Sequence, residues 1–119
     1  MSSRRVSART RIRIVYGDEF ALGPGKADLL EAVAETGSIS AAARRLKMSY
    51  RRAWLLVDEM NRCFRRPVVG TATGGKGGGG AAITDYGLAA LKQYRALEKR
   101  VSSVVGKSLP AFERMLGRS

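Results

Sequence analysis

The side chains best able to do chemistry lie in the middle of the chain, and most of them are cations. Between Arg44 and Lys76, nine basic residues stand against two acidic ones, and residues 49–52 read Ser-Tyr-Arg-Arg. The planar guanidinium of arginine matches the O6 and N7 atoms of guanine and also pairs with phosphate oxygens. The cluster therefore indicates recognition of a nucleic acid rather than a reaction on a small substrate.

Catalysis is disfavoured by the residues that the sequence lacks. It has no histidine and a single cysteine, Cys63, which removes the commonest general base, the commonest metal ligand and every Ser-His or Cys-His pair. Asp58 and Glu59 are adjacent, so on a helix they would lie on different faces and could not act as a catalytic pair. We therefore predict no enzyme, no metal site and no cofactor.

The charge of the whole chain points to the same kind of partner. The 119 residues carry a net charge of +12 and a pI near 10.9, and such an excess favours nucleic acid more often than an anionic membrane surface. No run of 18 apolar residues exists, so we expect no membrane-spanning segment. A single cysteine fits a reducing compartment, and we expect the protein in the cytoplasm.

Two short helices joined by a tight turn would position this basic cluster. Ser38 is placed to cap a helix with Ile39, Ala42 and Ala43 on one face, and Ser49 to cap a helix from Tyr50 to Phe64. This spacing predicts a helix-turn-helix, which inserts the first half of its second helix into the major groove of DNA. The alternative is a plain helical hairpin whose arginines are solvated.

A glycine-rich segment follows the predicted reading helix. Gly74–Gly80 contains six glycines and Lys76, between β-like residues 68–73 and 81–83. We interpret it as the tip of a β-hairpin wing laid against the sugar-phosphate chain, and the alternative is a flexible linker without function. The match to a dinucleotide fingerprint is only formal, because a strand rather than a helix follows.

The contacts to DNA are predicted from these three elements. The residues are Ser38, Arg44, Arg45, Ser49, Tyr50, Arg51, Arg52, Leu55, Thr73 and Lys76. Leu55 could touch a thymine methyl group or be a surface leucine, whereas Trp54 is expected to be a partly buried core residue.

The two ends of the chain complete a mainly α fold with a small β component. We expect a flexible basic arm over residues 1–10, a winged helix-turn-helix domain over 11–84, and helices over 85–119. Thr84 caps a long helix to Val105, and a short helix follows after Gly106 and Pro110. The long helix carries a stripe that predicts a dimer interface: Leu88, Leu91, Tyr94, Leu97, Val101 and Val104. Packing within the monomer is the alternative.

Several motifs together resemble the N-terminal DNA-binding domain of the molybdate-responsive, ModE-type transcriptional regulators. They are Gly37-Ser38-Ile39-Ser40, Ser49-Tyr50-x-x-Ala53-Trp54, Glu59-Met60-Asn61, residues 72–81 and Thr84-x-Tyr86-Gly87. The resemblance covers about residues 10–105. It implies a winged helix-turn-helix related to the LysR type, dimerisation through long helices, and operator binding at the bacterial nucleoid.

The same resemblance sets an expectation about regulation. Full-length members carry C-terminal domains that bind molybdate, whereas this sequence stops at Ser119, so we expect no oxyanion site and allow for a separate sensor protein. The predicted function is a dimeric, sequence-specific regulator that binds double-stranded DNA, linked to molybdenum transport genes. The alternative function is nonspecific, architectural DNA binding, which would show no preference for one site.

Overall fold

The structure, a computed structural model, describes residues 4–72 and 80–117. Four helices and two antiparallel hairpins are seen in these ranges. The elements are β1 (Ile14–Tyr16), β2 (Glu19–Leu22), α1 (Pro24–Thr36), α2 (Ile39–Arg45), α3 (Tyr50–Cys63), β3 (Val69–Ala72), β4 (Gly80–Ile83) and α4 (Asp85–Glu113). The predicted fold class, a mainly α winged helix-turn-helix with small β segments, is confirmed.

The three predicted N-caps form, and they fix where the helices begin. The side-chain oxygen of Ser38 accepts from the backbone N–H of Ala41 at 3.1 Å, and that of Ser49 accepts from Arg52 at 3.0 Å. Thr84 accepts from the backbone N–H of Gly87 at 2.9 Å. Each cap satisfies a donor that the first turn of a helix otherwise leaves unpaired.

The beginning of α1 differs from the prediction. The Gly23-Pro24-Gly25 segment was expected to interrupt the chain and the helix to begin near Lys26, but α1 begins at Pro24. Proline suits the first helical position because its missing N–H would have no partner there. At the other end, Gly37 adopts a left-handed conformation, with φ of 68°, and its N–H bonds to the carbonyl of Val33.

The hydrophobic core lies around α1. Leu29, Leu30 and Val33 of this helix are fully buried, and Val57 and Met60 of α3 join them in one cluster. The side chains on the facing positions of α2 and α3 are alanines, Ala42, Ala43 and Ala53, each at most 2% exposed. Such small residues let the helices approach closely, which fixes α3 against the rest of the domain.

The C-terminal part of the prediction is wrong, because one continuous helix replaces two. Gly106 was expected to end the long helix and Pro110 to start another, yet α4 runs without interruption from Asp85 to Glu113. A glycine in a helix costs only about 1 kcal/mol relative to alanine, which a helix of 29 residues tolerates. Pro110 lies in the last turn of α4. Because proline has no backbone N–H, the carbonyl of Gly106 lacks its usual helical partner.

The described part of the predicted arm lies beside α4. Residues 4–13 form neither helix nor strand. The hydroxyl of Tyr94 donates to the carbonyl of Ile12 at 2.6 Å, and Arg4–Ser7 line one surface groove with Glu113 and Leu116. The segment therefore runs along the helix towards its C-terminal end. The flexibility expected of residues 1–10 stays a prediction.

Candidate nucleic-acid interface

The helix-turn-helix presents the first half of α3 to solvent. Tyr50 is 54% exposed and Leu55 51% exposed, and Arg51 and Arg52 are also exposed. Ser49 is exposed as well, and its side chain caps the helix. These predicted contact residues therefore share one accessible end of a helix whose other face belongs to the core. Contact with DNA remains a prediction for each of them.

Two aromatic residues on α3 are in contact, one partly buried against the core and the other exposed. The rings of Tyr50 and Trp54 pack edge to face, with centroids 6.2 Å apart and an interplanar angle of 77°. Trp54 is partly buried against the core cluster, as predicted. The ring of Trp54 supports the ring of Tyr50, and this contact holds the Tyr50 side chain at the start of the helix.

The predicted contact residues on α2 are partly engaged within the protein. Ser38 is half-buried and caps α2. Arg44 is exposed and donates to the hydroxyl of Ser40 at 3.0 Å, whereas Arg45 forms an ion pair with Glu35. A DNA phosphate would therefore have to compete with Glu35 for Arg45. Among the described residues, Arg44 has no such acidic contact.

The wing is described up to the glycine-rich tip. β3 and β4 pair in antiparallel register from Val69 opposite Ile83 to Ala72 opposite Gly80. This pairing forms the base of the predicted hairpin. Thr73 and Lys76, the two contact residues predicted on the wing, lie outside the described residues.

Side-chain hydrogen bonds join the reading helix to the base of this hairpin. Asn61, near the end of α3, accepts from the backbone N–H of Val68 at 2.8 Å and donates to the carbonyl of Val69 at 3.1 Å. On the other side of the hairpin, the hydroxyl of Thr84 donates to the carbonyl of Pro67 at 2.6 Å and so links the start of α4 to the segment before β3. The base of the wing is therefore tied to α3.

Three further cations near the interface were not singled out from the sequence. Lys47 lies exposed in the turn between α2 and α3, in a left-handed conformation with φ of 57°. Arg65 and Arg66 are exposed between α3 and β3, and the guanidinium of Arg66 lies 6.0 Å from the ring centre of Tyr86. Their only signal in the sequence was the charge excess of the whole segment, which does not show which cations lie near the wing.

The prediction of a dimer stripe on α4 is wrong for two of its six residues. Leu91 is 6% exposed and Tyr94 2% exposed, so both belong to the core of this chain, where α4 packs against α1. Leu88 and Val104 are exposed, and Leu97 and Val101 are half-buried. Leu91 and Tyr94 are therefore used within the monomer, and an interface at the other four residues stays a prediction.

Chemistry other than binding finds little support among residues 4–72 and 80–117. In those ranges no three His, Cys, Asp or Glu side chains cluster as metal ligands would. The thiol of Cys63 donates to a carboxylate oxygen of Glu19 at 3.4 Å. Burial, with help from that carboxylate, raises the pKa of the thiol, which keeps it protonated and unreactive. Within the described part of the chain, no helix is long and apolar enough to cross a membrane.

Comparisons with known proteins agree with this geometry. Residues 26–88 match the family described as bacterial regulatory helix-turn-helix protein, lysR family. The chain is 35% identical to the molybdenum transport protein ModE of Azotobacter vinelandii over 127 residues, covering 98% of this chain and 46% of that protein. It is 43% identical to the DNA-binding transcriptional dual regulator ModE of Escherichia coli over 74 residues, covering 62% of this chain and 28% of that protein.

A solved structure shows the same fold. The DNA-binding domain in the crystal structure of the CbnR_DBD–DNA complex superposes with a TM-score of 0.58 at 22% identity, over 73% of this chain and 94% of that one. The chain spans less than half the length of the two ModE relatives. Because the family match includes α1, α2, α3 and the wing, this chain belongs to the LysR family of bacterial regulatory helix-turn-helix proteins.

Proposed function

We propose that this chain is a transcriptional regulator that recognises a specific site on double-stranded DNA by inserting the first half of α3 into the major groove. The observation that carries the proposal is the exposure of Tyr50, Arg51, Arg52 and Leu55 at the capped end of a helix whose opposite face is buried. An exposed arginine beside an exposed leucine offers a donor fork for guanine and a methyl-sized contact for thymine. The cations of the turn and of the wing base would hold the phosphates on either side.

The test compares two arginines on the same helix. After a preferred site has been selected from random DNA, Arg51→Ala should weaken binding to that site by about 1–3 kcal/mol and binding to random DNA by less. Arg62→Ala is the matched control, because Arg62 lies three turns further along α3 and is 3.5 Å from Glu19. It should leave the ratio of specific to random affinity unchanged.

The architectural alternative makes a different prediction for the same experiment. A nonspecific binder yields no enriched site, and Arg51→Ala then weakens binding equally on all sequences. That result would refute sequence-specific regulation while leaving DNA binding itself intact. Either outcome is consistent with a binding protein rather than an enzyme, acting in the bacterial cytoplasm at the nucleoid.

The regulator is proposed to act as a homodimer through the part of the apolar stripe of α4 that this chain leaves exposed or half-buried. Val104 is 66% exposed, and Leu97 lines an apolar groove with Ile14, Phe64 and Tyr86. A second copy covering these residues would remove apolar surface from water and place two reading helices about 34 Å apart, one turn of DNA. This spacing suits an operator made of two half-sites.

Molybdenum transport genes are proposed as targets, because the relatives with matching N-terminal parts are named for molybdenum transport and for transcriptional regulation. We further propose that a separate sensor protein, rather than this chain, binds molybdate and conveys any molybdate signal to it. Calorimetry with molybdate, and with sulfate as the control anion, should show no saturable micromolar binding to this chain. A selective signal would contradict the proposal.

A further inference from the structure

Besides α3 and the wing, the chain carries a second basic surface. It is formed by the N-terminal arm, residues 4–11, and by one face of α4, and we call it the arm surface. The arm reads Arg-Arg-Val-Ser-Ala-Arg-Thr-Arg, without an acidic or aromatic residue. We propose that this surface binds the phosphate backbone of DNA that flanks the site read by α3. The inference rests on the proposed binding of DNA by α3.

The arm and the helix bring their charges to one side of the molecule. Thr10 lines a surface groove with Lys99 and Ser103 of α4, while Arg4 and Arg5 line another with Glu113. Positions 92, 99, 103 and 107 recur every seven or four residues, so they share a face of the helix. Three of these positions are exposed lysines: Lys92, Lys99 and Lys107.

The arginines of the arm are available for an external anion. Arg4, Arg5, Arg9 and Arg11 are all exposed. Within residues 4–72 and 80–117, the ion pairs closer than 4 Å involve other cations. By contrast, Arg95 on α4 is surrounded by Asp28, Glu31 and Glu98, and it is thus part of the fold.

The dimensions of the arm surface fit a stretch of duplex. The arm extends from the level of Tyr94 to that of Glu113, a distance of about 28 Å at 1.5 Å per helical residue. This corresponds to about eight base pairs at 3.4 Å each. The arm surface is therefore long enough to follow about eight base pairs of flanking duplex.

The composition of the arm favours DNA over the other polyanionic partners. A protein-docking site would be expected to have an apolar or aromatic centre, but the only sizeable apolar side chain of the arm, Val6, is half-buried. A segment that inserts into a lipid bilayer would present bulky apolar residues, and the arm has none beyond Val6. Closely spaced arginines on an extended backbone instead suit the regular phosphates of a duplex.

The test removes three charges from the arm of the full chain. Binding of the triple variant Arg4→Gln, Arg5→Gln, Arg9→Gln is measured between 50 and 200 mM salt on a duplex with long flanks around the selected site. The slope of log affinity against log salt should fall by about 0.9 for each lost phosphate contact, up to about 2.7 in all. The ratio of the parent's affinity to that of the glutamine variant should then fall by up to about 40-fold between 50 and 200 mM salt.

Two controls make the result decisive. The variant Arg4→Lys, Arg5→Lys, Arg9→Lys keeps the charges and should keep the slope. A duplex trimmed to the site itself should abolish the difference between the glutamine variant and the parent. Equal slopes for the parent and the glutamine variant on the long duplex would overturn the proposal. If the variant then also loses binding to anionic vesicles or to an acidic protein, the arm surface binds that partner instead of DNA.

The outcome can be separated from that of the proposed function. The glutamine variant should lose affinity equally for specific and random long duplexes, because phosphates carry no sequence information. If the parent chain shows no site preference, then sequence-specific regulation fails, but the salt slopes still decide whether the arm surface contacts DNA.

Discussion

Gly87 in the first turn of α4 lies directly against the backbone of Val68, at the base of the wing. A Cβ atom at this position would lie 2.1 Å from the carbonyl oxygen of Val68, 2.8 Å from its carbonyl carbon and 2.9 Å from its Cα. All three atoms belong to the backbone at the base of the wing, so no side-chain rotation can relieve the overlap. The substitution Gly87→Ala must therefore push α4 and the wing apart.

The size of the effect follows from two opposing contributions. Non-bonded carbon atoms rest about 3.5 Å from their neighbours, so the backbone must move by roughly 1 Å or more. Overpacking of this kind costs about 1–3 kcal/mol or more, while replacing glycine by alanine in a helix gains at most about 1 kcal/mol. We expect a net loss of about 1–2 kcal/mol in the free energy of unfolding, or a fall in Tm of about 4–8 °C.

The same helix supplies a control with the opposite sign. A Cβ atom at Gly106 would meet no atom within 4 Å, so Gly106→Ala keeps only the helix-propensity gain of up to about 1 kcal/mol. Thermal unfolding followed by circular dichroism compares the two variants. If Gly87→Ala is as stable as Gly106→Ala, then α4 and the backbone of Val68 do not approach as closely as these distances indicate.

The other predictions concern the wing, the dimer and the thiol. Asn61→Ala should destabilise the fold by about 1–3 kcal/mol in denaturant titrations, because the buried backbone N–H of Val68 loses its partner; an unchanged midpoint would show that water replaces it. Val104→Glu should reduce the sedimenting mass from about twice the 12.9 kDa of one chain to that of a monomer, whereas Ser103→Glu, one residue away, should not; equal masses would remove this face from the interface. The raised pKa of Cys63 predicts slow alkylation at pH 8 that accelerates as the pH rises, and Glu19→Gln should speed the reaction at pH 8 by lowering that pKa; an unaffected rate would show that the carboxylate does not hold the thiol.

The features that the sequence predicted well are those specified by a few neighbouring residues. Ser38, Ser49 and Thr84 each precede a helical pattern by one position, and a capping oxygen needs only the next turn to find its donor. The outward face of α3 also follows from local periodicity, because Ala53 and Val57 fix the buried side. This is why the predicted reading helix is found within one residue of its expected bounds.

The stripe of α4 could not be assigned from periodicity alone. A core face and an intermolecular face both repeat every three to four residues. Leu91 and Tyr94 are buried because α1 covers this part of the helix, while Val104 lies beyond the domain. The distinction depends on where the rest of the fold ends along the helix, which is a property of the tertiary structure.

Charged side chains show the same limitation, because a count of charges does not distinguish binding residues from structural ones. Lys26 of α1 is 8% exposed, lies 2.9 Å from Glu59 of α3 and donates to the carbonyl of Phe20. Arg95 of α4 lies 2.9 Å from Asp28 of α1. Burial lowers the pKa of this guanidinium, but its hydrogen bonds to acidic neighbours outweigh burial and raise the pKa.

These two cations give α1 a role that its sequence does not reveal. The Lys26–Glu59 pair fixes α1 against the reading helix, and the Arg95–Asp28 pair fixes it against α4. Because α1 contacts both, the direction in which α4 leaves the domain is tied to the orientation of α3. In a dimer joined through α4, this coupling would set the distance between the two reading helices, so the half-site spacing would depend on contacts that never touch DNA.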